Sequence, residues 1–437
     1  MSPPVSTPRI AIVGAGWAGL AAAVDLAGRG AQVSLFESAK HPGGRARRVD
    51  WNGIPVDNGQ HLLVGAYRET LALLAAVGVN ERTVLLRLPM RVEVPGRFSM
   101  RMPKLPSPLH LAAGLLGASG VSLGEKQAAV SFIRALQSTA FRLPEDESVA
   151  DWLDRHGQRG ALREHLWESL CLAALNTHPA EASAQVFANV LRETLGGPRA
   201  ATDFLLPRVD LGAVMPDAAL RHLSGHGASV RCATRVEALR PDGAEWKVET
   251  GEAIETFDHV VLATGPQHAA ALLPADPRLD GLRDTLAGLA FEPIATAYLR
   301  YPDTARLPWP ILAISRPPAQ WIVDRGQLDA RASGLFAHVL SAHGDWENID
   351  DAVLVHQLDV RMRETLPECA DLPPPLAHFV IRERRATFRC TPGMDRPPTA
   401  TALPGLWLAG DYVQGDYPGT LESAVISGRK AAAALAG

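Results

Sequence analysis

Gly14-Ala15-Gly16-Trp17-Ala18-Gly19 follows the apolar run Arg9-Ile10-Ala11-Ile12-Val13 and leads into a helix-like stretch from Leu20 to Arg29. A second apolar run, Ala31-Gln32-Val33-Ser34-Leu35-Phe36, ends on Glu37. Strand, glycine turn, helix, strand and terminal acid are the parts of a Rossmann-type βαβ unit that binds a dinucleotide. Gly14 allows the tight turn off the strand. Gly16 has no side chain, so a pyrophosphate can approach the backbone. Gly19 lets the helix lie close to the strand. The helix N-terminus, with Trp17 and Ala18 in its first turn, offers unpaired N–H groups and a partial positive charge to phosphates. Glu37 would accept hydrogen bonds from an adenosine ribose. Ala23 and Gly30 continue the motif in phase, and agreement among these features lifts it above an isolated glycine turn.

Gly43-Gly44-Arg45-Ala46-Arg47-Arg48 sets two glycines beside arginines, a backbone and guanidinium cradle for an anion. Residues 46 to 57 read as a hairpin around Asn52-Gly53. It ends in Asp57-Asn58-Gly59-Gln60-His61, which offers Asp57, Gln60 and His61 to an active site. The same residues also fit a capped turn before a helix from Tyr67 to Val77, with Leu71, Leu74 and Val77 on one face and Gly78 as its stop.

From about Pro89 the character changes. Leu109 to Gly117 is an apolar, glycine-rich stretch, with no charge until Glu125. It is too short to span a bilayer. It suits an interfacial helix, an entrance for an apolar substrate, or a buried core helix. Lys126 to Phe141, Ser148 to His156 and Ala161 to Ala174 read as helices, so residues 95 to 205 form a helical insertion. Strands return between 228 and 265, where the last apolar run stops at Gly265. Residues 290 to 395 read as a second, substrate-side sheet with one helix near Ala352 to Thr365. Trp309, Trp321 and Phe388 within it read as core. Leu406 to Ala409 is a short strand that stops at Gly410-Asp411, and a helix from Thr420 follows. Its N-terminus would stabilise negative charge on a reduced flavin ring. No second GxGxxG appears, so a dedicated nicotinamide domain is not expected.

The 437 residues correspond to roughly two or three domains, and 47% apolar with 21% charged residues is ordinary for a globular chain. The net charge of −4 gives no basis for nucleic-acid binding. Four cysteines without CxxC spacing read as free thiols in a reducing compartment, and no metal signature occurs. Met1 to Pro8 lacks the pattern of a signal peptide. The chain reads as cytoplasmic, with peripheral contact on the inner face of a membrane left open.

The fingerprint Gly14 to Gly19, with Glu37, Gly43-Gly44-Arg45 and Gly410-Asp411, resembles the flavin amine oxidase and carotenoid desaturase superfamily. The resemblance implies FAD, held by both ends of the chain. Asp57 to His61, Gly65 to Leu71, and Gly410-Asp411-Tyr412 with Tyr417 to Ala424 are similar to the hydroxysqualene dehydroxylases, also called squalene-associated FAD-dependent desaturases. That implies reductive removal of an allylic hydroxyl from hydroxysqualene, giving squalene for hopanoid synthesis. The expected architecture is α/β. A Rossmann-type FAD domain is assembled from 1–90, 206–285 and 401–437. Residues 91–205 form the helical insertion, and 286–400 the sheet of a second α+β substrate domain.

The resemblance puts Gly14, Gly16 and Gly19 on the pyrophosphate, with Trp17, Ala18, Gly43, Gly44 and Arg45 near it. Glu37 goes on the ribose and Val236 on the adenine. Gly59, Gln60, His61, Gly265, Gly410, Asp411, Thr420 and Leu421 complete the expected FAD contacts. For the acid that protonates the leaving hydroxyl, His61 is the first choice, ahead of Asp57 and Glu422. Expected partners are an apolar isoprenoid, an unidentified electron donor, a membrane surface and the squalene-pathway synthases. Competing readings are a phytoene-type desaturase, an amine oxidase using Tyr412 and Tyr417, and a flavin-carrying isoprenoid scaffold without turnover.

Overall fold

A computed structural model describes residues 7–314 and 319–435; residues 1–6, part of the lead-in read above, lie outside it. Strand β1 (Arg9–Val13), helix α1 (Trp17–Gly28) and strand β2 (Gln32–Phe36) form the expected unit. A hairpin of β3 (Arg48–Trp51) and β4 (Ile54–Asp57) follows, turning at Asn52-Gly53, both with positive φ. Next comes α2 (Arg68–Ala76). The expected Leu71, Leu74 and Val77 all pack on the core, Leu71 and Val77 half-buried, and Thr70 and Leu73 are buried beside Leu74. The Thr70 hydroxyl donates to a buried partner, Glu422, at 2.7 Å.

The middle of the chain contains α3 (Leu109–Leu116) and α4 (Ala184–Thr194) among shorter helices. The helix expected to reach Phe141 spans Leu123–Ser138, because Ala140 and Phe141 turn left-handed. It starts at a capping box of Ser122 and Glu125. The stretch 161–174 is helical but carries a π-helical segment, Arg163–Glu168. Strand Phe204–Pro207 pairs with Leu63–Val64 and Leu85–Leu88, so it ties the insertion to the first segment across the expected boundaries.

Strands β5 (Ser229–Arg231) and β6 (His259–Leu262) come next, then β7 (Phe291–Arg300), β8 (Leu335–Ser341), α5 (Asp351–Thr365) and β9 (Ala377–Phe388). The chain closes with β10 (Leu406–Leu408) and α6 (Leu421–Leu435). The main sheet has order β5-β2-β1-β6-β10, and every pairing is parallel. Three distant stretches of chain therefore build one sheet. A buried parallel strand must be apolar on both faces, as Ile10 to Val13 and Val260 to Leu262 are. Helix α1 is apolar nearly all round, so it is buried nearly all round. Against it lies α6, at a spacing where a Cβ on Gly428 would sit 2.1 Å from the Ala18 carbonyl. The second sheet is antiparallel, in the order 311–313, 321–324, β8, β7, β9. Both of its faces are covered: one packs on α5 and the other faces the cavity described next.

Candidate active site

A cavity of about 1040 Å³ lies where β1 and β2 end and the second sheet begins. Ligands of open α/β sheets bind at this place, outside the carboxyl ends of the strands. Gly14 has φ +107, and a Cβ there would meet the Ala263 carbonyl at 2.7 Å. A Cβ on Gly19 would lie 1.9 Å from the Gly14 carbonyl oxygen. Gly16 differs: a Cβ would meet nothing within 4 Å, because that side of it is open cavity. Gly43 and Gly44, both with positive φ, fold over this turn, and Gly43 bridges to Gly16. Trp17 and Ala18 line the same wall.

At one end, Glu37 lines the cavity with its carboxylate fixed by the Ala15 and Ala39 amides, each at 2.8 Å. Val236 and Gly265 stand nearby on the wall. The side chains of Thr264 and Gln267 each bury an oxygen there without a partner. At the other end are Gly59, Gln60, His61, Tyr67, Gly410, Asp411, Tyr412, Thr420 and Leu421. Arg45 reaches across to Asp411 at 2.5 Å and donates to the Ala386 carbonyl. Helix α6 points its N-terminus at the cavity, capped by reciprocal bonds between Thr420 and Ser423. The Gln60 side-chain oxygen and the Tyr412 hydroxyl are buried without partners.

The three candidate acids separate. His61 lines the cavity. Its Nδ1–H donates to the Gly59 carbonyl at 2.7 Å, which leaves Nε2 as the unsubstituted nitrogen. Burial holds its pKa below 6.5; the Gly59 carbonyl opposes this and the Arg45 charge adds to it. Asp57 corrects the expectation. It is 1% exposed and absent from the cavity wall, and it accepts from the Leu211 amide at 2.7 Å. It caps a distant turn, and burial pushes its pKa up to about 7 against the pull of Arg325. Glu422 corrects it too: its carboxylate accepts from the Glu69 and Thr70 amides and the Thr70 hydroxyl. It caps α2 from behind the wall and does not face the cavity.

Several wall residues escape the sequence reading. Asn176, in the left-handed conformation after a helix, donates to Pro293 and Thr387 and accepts from the Ala342 amide. Its place after an apolar helix, before Thr177, is the available signal. Arg396, behind the wall rather than on it, is nine-tenths buried and donates to the carbonyls of Asp411, Tyr412, Val413, Gly415 and Tyr417. The apolar arm comes from the insertion (Leu170, Phe187, Val190, Leu191) and from the second sheet (Ile311, Trp321, Val323, Val339). Trp321 is thus a wall of the cavity. Trp309 and Phe388 instead stack under the guanidinium groups of Arg91 and Arg396.

The wall fits a dinucleotide carrying a flat ring system. Unsubstituted backbone faces its middle, a carboxylate stands at one end, and a helix N-terminus with orphaned polar atoms at the other. Residues 17–436 match the family of flavin-containing amine oxidoreductases. The chain belongs to that family and is an FAD-dependent oxidoreductase. It is 30% identical to the hydroxysqualene dehydroxylase of Rhodopseudomonas palustris, over 96% of this chain and 96% of that one. It is 28% identical to the hydroxysqualene dehydroxylase of Sinorhizobium fredii, again over 96% of each. In fold it resembles cyclohexylamine oxidase from Brevibacterium oxydans, with a TM-score of 0.69 at 18% identity over 99% of both chains. Among the described residues no group of side chains could hold a metal, and no helix is long and apolar enough to cross a membrane.

Proposed function

We propose that the protein removes the allylic hydroxyl of hydroxysqualene reductively. The C–O bond breaks, a C–H bond forms, and the oxygen leaves with a proton as water, giving squalene. FAD, when bound and reduced, would supply the hydride, with an external two-electron donor needed to reduce it again. The observation that supports this reading is the apolar arm, which belongs to the same cavity as His61, Tyr67 and the start of α6. A C30 isoprenoid needs such an arm, and a small charged amine does not.

The chain's own residues do three things in this reading. Gly14, Gly16, Gly19, Gly43, Gly44, Arg45, Glu37, Val236, Gly265 and Asp411 hold the cofactor, with Trp17 and Ala18 behind it. The N-terminus of α6, at Thr420 and Leu421, lines the cavity and would favour negative charge on a ring held there. His61 protonates the leaving oxygen from Nε2, with Gln60 and Gly59 fixing the loop. Because Nδ1 is committed to Gly59, Nε2 carries a proton only in the cationic ring. The depressed pKa means that this form grows as pH falls. Dehydroxylation should therefore rise as pH drops below 6.5 and level off once the ring is charged. His61→Ala should lower the rate by about 10²–10⁴ and abolish that rise. An unchanged profile in His61→Ala moves the role to Tyr67, whose phenol stands beside Thr420 and is kept protonated by burial and the nearby Glu422.

Feeding purified protein hydroxysqualene under reductant, and phytoene under oxidant, tests the substrate. Squalene from the first, with the second untouched, supports dehydroxylation. The reverse makes the protein a desaturase.

A further inference from the structure

Helix α3 is apolar on every side, yet it is not buried on every side. Its inner face, at His110 and Gly114, is closed off, while Leu109 is 56% and Leu116 is 72% exposed. Seven residues apart, these leucines share one face, with Ala112 between them. Leu105 and Leu123, on the flanking loops, are 40% and 78% exposed. These four are among the nine exposed large apolar side chains of the described residues. A helix without a polar face normally lies inside a protein, and here solvent holds the place of the missing layer. The stretch itself carries charge of one sign, with Glu93 3.8 Å from Arg101 and Glu125 engaged in the cap of the following helix. No Asp or Glu occurs from Val94 to Gly124, whereas Arg97, Arg101 and Lys104 are all exposed.

We propose that α3 and its flanking loops dock in the headgroup layer of an anionic lipid membrane. The leucines enter the acyl boundary and the three basic side chains meet lipid phosphates. Eight residues give about 12 Å of helix, far short of a bilayer core, so the helix lies in the surface plane. The patch is one layer from the active site. Gly114 packs on the Met102 sulfur, the Met102 amide donates to the Met90 carbonyl at 2.9 Å, and Met90 lines the cavity. Docking here brings the cavity wall to the lipid, where an isoprenoid is dissolved; this last consequence rests on the function proposed above.

FAD-loaded protein should sediment with phosphatidylcholine vesicles that contain phosphatidylglycerol, less so without it, and less so at high salt. The triple substitution Leu109→Asp, Leu116→Asp, Leu123→Asp should weaken partitioning by tenfold or more. Leu376→Asp, at a leucine 68% exposed elsewhere, should not. The triple variant should keep its flavin spectrum and its turnover of detergent-dispersed hydroxysqualene, and lose turnover of vesicle-borne substrate. Vesicle binding needs no substrate, so it is read even if the protein turns over something else. Equal sedimentation of wild type and triple variant overturns the proposal. So does a wild-type dimer that the substitutions disperse without any change in vesicle binding.

Discussion

Arg396 has five N–H donors, and five main-chain carbonyls of one loop accept them. A lysine has three and no planar fork. Arg396→Lys should therefore loosen residues 411–417, weaken FAD binding and leave the parallel sheet intact. Comparing flavin retention with far-ultraviolet circular dichroism checks this. Asp57 and Glu422 make a related point. Each looks like a catalytic acid in sequence and each is a cap whose partner is remote: Leu211 lies 154 residues from Asp57, and Thr70 lies 352 from Glu422. Nothing local announces such a bond, whereas Gly14, Gly19 and Glu37 work within a few tens of residues and are legible. Glu422→Ala strands the buried amide and hydroxyl of Thr70 and the half-buried amide of Glu69, and should cost on the order of 3 kcal/mol in stability. Asp57 gives a pH signature. Its folded pKa is raised, so the native state binds the extra proton, and stability declines as pH rises from about 4 to about 7. Asp57→Asn keeps an oxygen for Leu211 and should flatten that decline in thermal melts. A melt that still falls in parallel with the wild type assigns the slope elsewhere.

Among the elements, the glycine turn separates binding from folding. A methyl on Gly16 projects into open cavity and one on Gly19 into the Gly14 carbonyl. Gly16→Ala should fold with wild-type stability when free of cofactor but bind FAD more weakly. Gly19→Ala should unfold at lower denaturant even without cofactor. Equal effects on both properties in both variants contradict this division. The elements themselves were readable where one period dominates: β1, α1, β2, the hairpin at Asn52-Gly53, and α6. Where both faces are apolar the strand is legible, as Phe336 to Leu340 is, but which side meets the cavity is not. Along β8, Val339 faces the cavity while Phe336 and Leu340 face α5, and period-two alternation between two apolar sides leaves no mark in the sequence. Trp321 is buried in the core as expected and lines the cavity as well. Helix α3 is the inverse case, where apolar residues suggest burial and half of them are exposed.

At the scale of the whole molecule, the chain is closed by contacts of very long range. Strands from near residues 10, 260 and 407 lie side by side, and the Arg45–Asp411 pair spans 366 residues. FAD held as proposed, at the glycine turn, the 43–45 cradle and the start of α6, would tie the same segments together. Removing FAD should lower the melting temperature, and restoring it at a hundredfold excess over Kd should return about 2.7 kcal/mol. The cofactor was legible because its grip is local motif at each end. The apolar arm was not, since it is assembled from the insertion and the second sheet and exists only in three dimensions. The substrate assignment therefore leans on similarity along the full chain together with that arm. It is tested most directly by mixing photoreduced protein with hydroxysqualene under anaerobic conditions, following flavin absorbance and analysing the product. Reductive dehydroxylation predicts flavin reoxidation with one squalene formed for each flavin reoxidised. Flavin that stays reduced while hydroxysqualene is recovered unchanged contradicts it.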